Sequence, residues 1–130
     1  MVLDTSAILA MLLGEPSSER MIAAVERDAR RLVSAATVVE ASLVILGRYG
    51  EAGDVLLDRF LRGLGTEVVA VDEEQVAIAR DAALRYGRGR SPASLNYGDC
   101  FSYALAVAHD EPLLFVGDDF SKTDVGVCAW

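Results

Sequence analysis

Apolar residues along this chain come in two alternating forms, short unbroken runs and longer stripes at helical spacing. The runs predict strands at residues 1–4, 31–34, 66–71 and 112–116, each rich in Val or Leu. Between them, the spacing predicts helices over 5–13, 16–29, 35–49, 54–64, 72–86 and 98–110. Gly14 and Gly50 act as stops, Pro16 as a first helical residue, and Asp72 as an N-cap followed by Glu73 and Glu74 in the first turn. The clearest stripe is Leu56, Leu57, Phe60, Leu61 and Leu64, with Asp58 and Arg62 paired on the opposite side. Helix 98–110 is apolar on nearly every side and is therefore expected to be buried. Residues 87–97 read as a loop, 117–123 as a loop or short helical turn, and 124–128 as a last edge strand.

Strands that are apolar throughout and separated by helices imply a parallel sheet covered on both faces. The expected fold is α/β, a three-layer α/β/α sandwich with a central, mainly parallel sheet. With 130 residues, no repeat and no linker, residues 1–130 form one domain, and a 52% hydrophobic composition supplies its core. No apolar run reaches the roughly 18 residues that span a bilayer. The Met1-Val2-Leu3-Asp4 start lacks the basic segment of a secretory signal, so a cytoplasmic location without membrane contact is expected.

The chemistry available is narrow. Cys100 and Cys128 are the only cysteines and read as small buried residues, and His109 is the only histidine. That excludes a His/Cys zinc cage from this chain alone, and any mechanism with two histidines as acid and base. The net charge of −8 argues against simple phosphate neutralisation, yet every basic residue except Lys122 is an Arg, the side chain that forks phosphate and stacks on bases.

In an open parallel sheet, ligands sit beyond the carboxyl ends of the strands. Asp4 closes the first strand, and Asp118 and Asp119 follow the strand at 112–116. Glu40 lies in the second turn of the helix after the strand at 31–34, and Asp99 opens the buried helix. Singly, Asp4 and Asp99 read equally as helix caps, and Asp118 and Asp119 as loop acids. Together they form a carboxylate cluster that cannot stay ionised without a counter-charge, and Mg²⁺ or Mn²⁺ supplies one through oxygen ligands. Such a cluster suits phosphodiester hydrolysis or phosphoryl transfer to an aspartate.

Four segments narrow the choice. Val2-Leu3-Asp4-Thr5-Ser6-Ala7, Thr37-Val38-Val39-Glu40, the stretch from Leu95-Asn96-Tyr97-Gly98-Asp99-Cys100 to Ala106, and Leu113-Leu114-Phe115-Val116-Gly117-Asp118-Asp119-Phe120 resemble a PIN domain. More narrowly they resemble the VapC-type toxins of bacterial toxin–antitoxin pairs, mycobacterial members above all, and the resemblance spans the chain. It implies a Mg²⁺-dependent endoribonuclease with an acidic quartet at Asp4, Glu40, Asp99 and one of Asp119 or Asp118. Asp119 is favoured because it directly precedes Phe120. Ser6 or Thr5 would orient the attacking water or a ligand carboxylate, or simply cap the helix. Arg85, Arg88 and Arg90, interleaved with Tyr86 and Tyr97, would form an RNA track or a solvated loop. The resemblance further implies a small antitoxin partner (VapB-like), with a homodimer of this chain in the complex.

Two rivals stand beside this reading. A phosphatase-like site wants a second aspartate where Ser6 stands, and a receiver-like domain wants paired acids where Asp4 precedes Thr5. A PIN-fold binding module without activity would be marked by a missing carboxylate, and none is missing.

Overall fold

The computed structural model describes residues 1–130. In chain order the elements are β1 (Val2–Leu3), α1 (Thr5–Leu12), α2 (Ser18–Arg27), β2 (Leu32–Ser34), α3 (Ala35–Gly63), β3 (Glu67–Val69), α4 (Glu73–Tyr86), α5 (Tyr97–His109) and β4 (Leu113–Leu114), followed by a 3₁₀ turn at Phe120–Lys122. The four strands form one parallel sheet in the order β3-β2-β1-β4.

The two-residue period of the strands divides the core. Leu3, Val33 and Leu114 point to one face, where they meet Ile8, Met21, Val25, Leu57 and Leu61 of α1, α2 and α3. Val2, Leu32 and Leu113 point to the other, where they meet Ala79 and Ala82 of α4 and Tyr103, Ala104 and Leu105 of α5. These strand residues are wholly buried, each worth ~1.5–3 kcal/mol on folding. The expected α/β/α sandwich is therefore the fold observed.

The connections decide where a ligand can sit. The chain steps from β1 through β2 to β3 in one direction, then returns to place β4 on the far side of β1. The helices change face at that return. The crevice between the carboxyl ends of β1 and β4 is thus the topological switch point, the usual ligand position in such sheets.

Several boundaries differ from the sequence expectation. The helix expected over 16–29 spans Ser18–Arg27, because a turn from Glu15 carries Pro16 and Ser17 into it. The helices expected over 35–49 and 54–64 join as α3, which kinks where Gly50 takes φ 64°. The edge strand expected at 124–128 is a single bridge, Val127 beside Leu113. No helix is long and apolar enough to cross a membrane.

Candidate active site

Asp4 leaves β1 straight into α1. It is the N-cap of α1, 3% exposed, and its Oδ2 accepts from the Ser6 amide at 2.9 Å and the Ser6 hydroxyl at 2.6 Å. Val116, just past β4, in turn donates its amide to Ser6 Oγ at 3.0 Å. Ser6 therefore ties the ends of the two strands that flank the crevice and holds Asp4 in one rotamer. The capping role foreseen for Asp4 is observed. Its other oxygen, Oδ1, is buried and has no hydrogen-bond partner.

Glu40 arrives from the second turn of α3, and its Oε2 accepts from Thr5 Oγ1 at 2.6 Å. Both hydroxyls after Asp4 are thus used on acidic side chains, Thr5 on Glu40 and Ser6 on Asp4. Beneath Glu40, the wall is the backbone of Gly98: a Cβ built there would fall inside the van der Waals envelope of the Glu40 carboxylate. Deeper, Thr37 and Ser102 hydrogen bond at 3.1 Å and pin α3 against α5.

Asp99 sits in the first turn of α5, which begins at Tyr97, one residue before the expected start. The cap is Asn96, not Asp99. Asn96 Oδ1 accepts from the Asp99 amide at 3.0 Å, and Asp99 Oδ2 accepts from the Asn96 amide at 2.7 Å, a reciprocal capping box. Burial raises the Asp99 pKa to about 6, against the lowering pull of the Asn96 amide, and the negative charges of Asp4, Glu40 and Asp119 add to the rise. These four carboxylates therefore share one electrostatic field.

The choice between the two aspartates after β4 follows from their neighbours. Phe120 is 2% exposed and packs edge-on against Phe115 at 5.1 Å, which anchors the turn and leaves Asp119 facing the field of Asp99. Asp118 points instead to Lys122 at 2.7 Å, whose hydrogen bond lowers its pKa, and it is not among the leading causes of the Asp99 shift. The arginines also separate. Arg85 is engaged by Asp124 at 2.6 Å and Asp81 at 3.3 Å and lies over the Tyr86 ring, whereas Arg88 and Arg90 are exposed and form no ion pair. The largest cleft, about 730 Å³, lies beside Arg85, Asp110 and Asp124, away from the four carboxylates.

The residues present fit a hard divalent cation. An orphaned buried oxygen on Asp4 and a carboxylate whose proton is retained to about pH 6 are what a missing counter-charge leaves behind. No three acidic side chains converge as a closed cage. That arrangement suits Mg²⁺, which keeps several waters and needs only one or two protein carboxylates.

With the fold and this crevice described, likeness to known proteins is informative. Residues 1–126 match the PIN-domain family. The chain is 51% identical over 129 residues to Ribonuclease VapC30 of Mycobacterium tuberculosis, covering 99% of this chain and 98% of that protein. It is 50% identical over 125 residues to Ribonuclease VapC of Mycolicibacterium smegmatis, covering 96% and 97%. Among solved structures, the Mycobacterium tuberculosis VapC20 toxin superposes with a TM-score of 0.77 at 16% identity, over 95% of both chains. The chain belongs to the PIN-domain family, in its VapC group.

Two outcomes follow from the geometry. Gly98→Ala should keep the fold, since Ala favours a helix by ~1 kcal/mol over Gly, but should push the Glu40 carboxylate off Thr5. The Glu40 carboxyl ¹³C shift reads this displacement, and an unmoved resonance contradicts the close approach. The second concerns pH. Folded Asp99 keeps its proton to about 6, while an unfolded aspartate loses it at about 3.9. Between those values the folded state binds more protons, so stability falls as pH rises through the window. In metal-free protein, the thermal midpoint of wild type should drop relative to Asp99→Asn as pH rises from about 4 to about 6 and run parallel above it. A constant offset over the whole range would contradict the raised Asp99 pKa.

Proposed function

We propose that this chain is the toxin of a toxin–antitoxin pair, an endoribonuclease dependent on Mg²⁺ or Mn²⁺. The observation that carries the reading is the buried, unpartnered Oδ1 of Asp4 in a crevice whose other walls carry Glu40, Asp99 and Asp119. Its relatives at half identity over nearly the whole chain are named as VapC ribonucleases.

Asp4, Asp99, Glu40 and Asp119 would share the cation, one or two of them binding it directly and the others holding its waters. When bound, the ion supplies positive charge at the phosphate and lowers the pKa of water it holds. The remaining work belongs to the chain. Ser6, held by the Val116 amide, fixes Asp4 so that Oδ1 stays aimed into the crevice. Glu40 is half-buried and held by Thr5 through one oxygen, so its second oxygen is available to orient the attacking water and accept its proton. Water then adds to phosphorus in line, and the P–O bond to the leaving ribose oxygen breaks. Asp118, paired with Lys122, stands outside this scheme.

The partner side of the proposal rests on α3. Val39, Leu43, Leu46 and Tyr49 are 59%, 66%, 39% and 56% exposed and follow one another at helical spacing. The apolar stripe of α2 is spent on the core through Met21 and Val25, whereas that of α3 is left open. Solved structures of this fold include VapBC2 of Rickettsia felis bound to a promoter DNA fragment, and a Klebsiella pneumoniae toxin–antitoxin complex. A small antitoxin would lay an apolar segment on α3 and direct an Arg into the acidic crevice, with the chain's charge of −8 attracting it. A homodimer of this chain within that complex is read by light scattering.

Purified protein with total RNA and Mg²⁺ should yield mapped cuts. Excess EDTA or Asp99→Ala should abolish them, by at least ~100-fold for loss of a group acting only in the transition state. Undiminished cleavage in EDTA, or by Asp99→Ala, rejects the mechanism. Separately, Leu43→Asp should leave the thermal midpoint unchanged while the product of the adjacent small open reading frame no longer co-purifies. Full retention of that product would move the partner off α3.

A further inference from the structure

Beside the acidic crevice lies a second cavity of about 350 Å³, within the ~300–1,000 Å³ range of small-ligand sites. Its floor is apolar and buried: Ala79 of α4, Leu95, and Cys100 of α5 are 7%, 3% and 6% exposed. Its rim carries Arg80 and Arg88, both exposed and neither engaged by a carboxylate. In a chain where acids outnumber bases 20 to 12, two free arginines at one mouth mark a place for negative charge.

Two aromatic rings complete the wall. Tyr97 is 81% exposed, with its ring edge-on to Phe101 at 4.9 Å. Such exposure leaves a ring face open to solvent, held in place by a neighbour. Asn96 lines the same cavity, and its side-chain Oδ1 is used on the Asp99 amide while its NH₂ donates to nothing within the chain. Asn96 is therefore a shared wall: one side holds the Asp99 capping box, the other opens into the cavity.

We propose that this cavity is a nucleobase subsite, taking one unstacked base of a single-stranded RNA next to the phosphate in the acidic crevice. Tyr97 stacks on the base, the Asn96 NH₂ donates to its edge, and Arg88 and Arg80 meet the flanking phosphates. Stacking on an exposed aromatic with arginines along the backbone is the common device for holding single strands, and Asn96 supplies the continuity between base and scissile phosphate. This assignment rests on the ribonuclease reading of the carboxylates, but its test does not require cleavage.

The probe is a fluorescein-labelled single-stranded RNA octamer of mixed sequence, titrated by anisotropy in EDTA against the full chain. Tyr97→Ala should weaken binding by about ten-fold, in line with the loss of one stacked base, whereas Tyr97→Phe should bind as wild type does. Arg88→Ala should weaken binding and reduce its salt dependence. In Mg²⁺, Tyr97→Ala should raise KM with little change in kcat and redistribute the cut sites. Loss of cleavage in Asp99→Asn with octamer binding intact would test the carboxylates alone and leave the subsite standing. Three outcomes overturn the subsite: no octamer binding by wild type, equal binding by Tyr97→Ala, or a Tyr97→Ala variant that loses its co-purifying protein partner while binding RNA normally, which would assign the cavity to a protein segment.

Discussion

Burying a carboxylate beside three others in a half-dry crevice is the constraint around which this molecule is arranged. Asp4, Glu40, Asp99 and Asp119 come from the ends of two strands and the first two turns of two helices; burial raises the Asp99 pKa to about 6, and the charges of the other three add to the rise. Holding them together opposes folding, and the chain offsets that opposition with neutral donors, not cations. Ser6 gives Asp4 two hydrogen bonds, Thr5 gives Glu40 one, and the Asn96 amide gives Asp99 one. Neutral donors fix the carboxylates in place without cancelling their charge. An arginine in the same position would form a stable pair and close the site to a metal.

The fold serves that arrangement at modest length. Strands of two or three residues suffice because both faces are covered and the apolar side chains of β1, β2 and β4 each enter one core cluster or the other. Placing β4 beside β1 brings residues more than a hundred positions apart to one crevice, and Ser6 bonding to Val116 is the stitch between them. The close approach of Gly98 to Glu40 shows the tolerance of the assembly: a methyl group at Gly98 fits only if the Glu40 carboxylate moves away.

Much of this is legible in the sequence. Alternation of apolar runs and stripes reports which faces are buried, and burial is what decides a parallel α/β sandwich. The order of carboxylates relative to strand ends was equally readable, because β1 and its following turn are contiguous in sequence. Asp119 was preferred to Asp118 on its neighbour Phe120, and the physical content of that pattern is an anchored ring that fixes the turn. The Asn96-x-x-Asp99 spacing carried a capping signal that reading the helix from Gly98 overlooked, and with it the wall shared with the second cavity. Pairings across long loops were not readable. Arg85 looked equivalent to Arg88 and Arg90, and only the return of Asp124, 39 residues later, commits it to an ion pair. The bridge at Val127 depends likewise on tertiary placement, not on β-propensity.

The central claim, that four carboxylates crowd one crevice built to accept a divalent cation, is tested most directly by following the Asp99 carboxyl carbon by NMR as a function of pH, with and without Mg²⁺. The account predicts a midpoint near 6 in metal-free protein and a fall of at least about one unit when Mg²⁺ is added, as the cation favours the ionised form. An Asp99 that titrates in the ordinary aspartate range and ignores Mg²⁺ would contradict it.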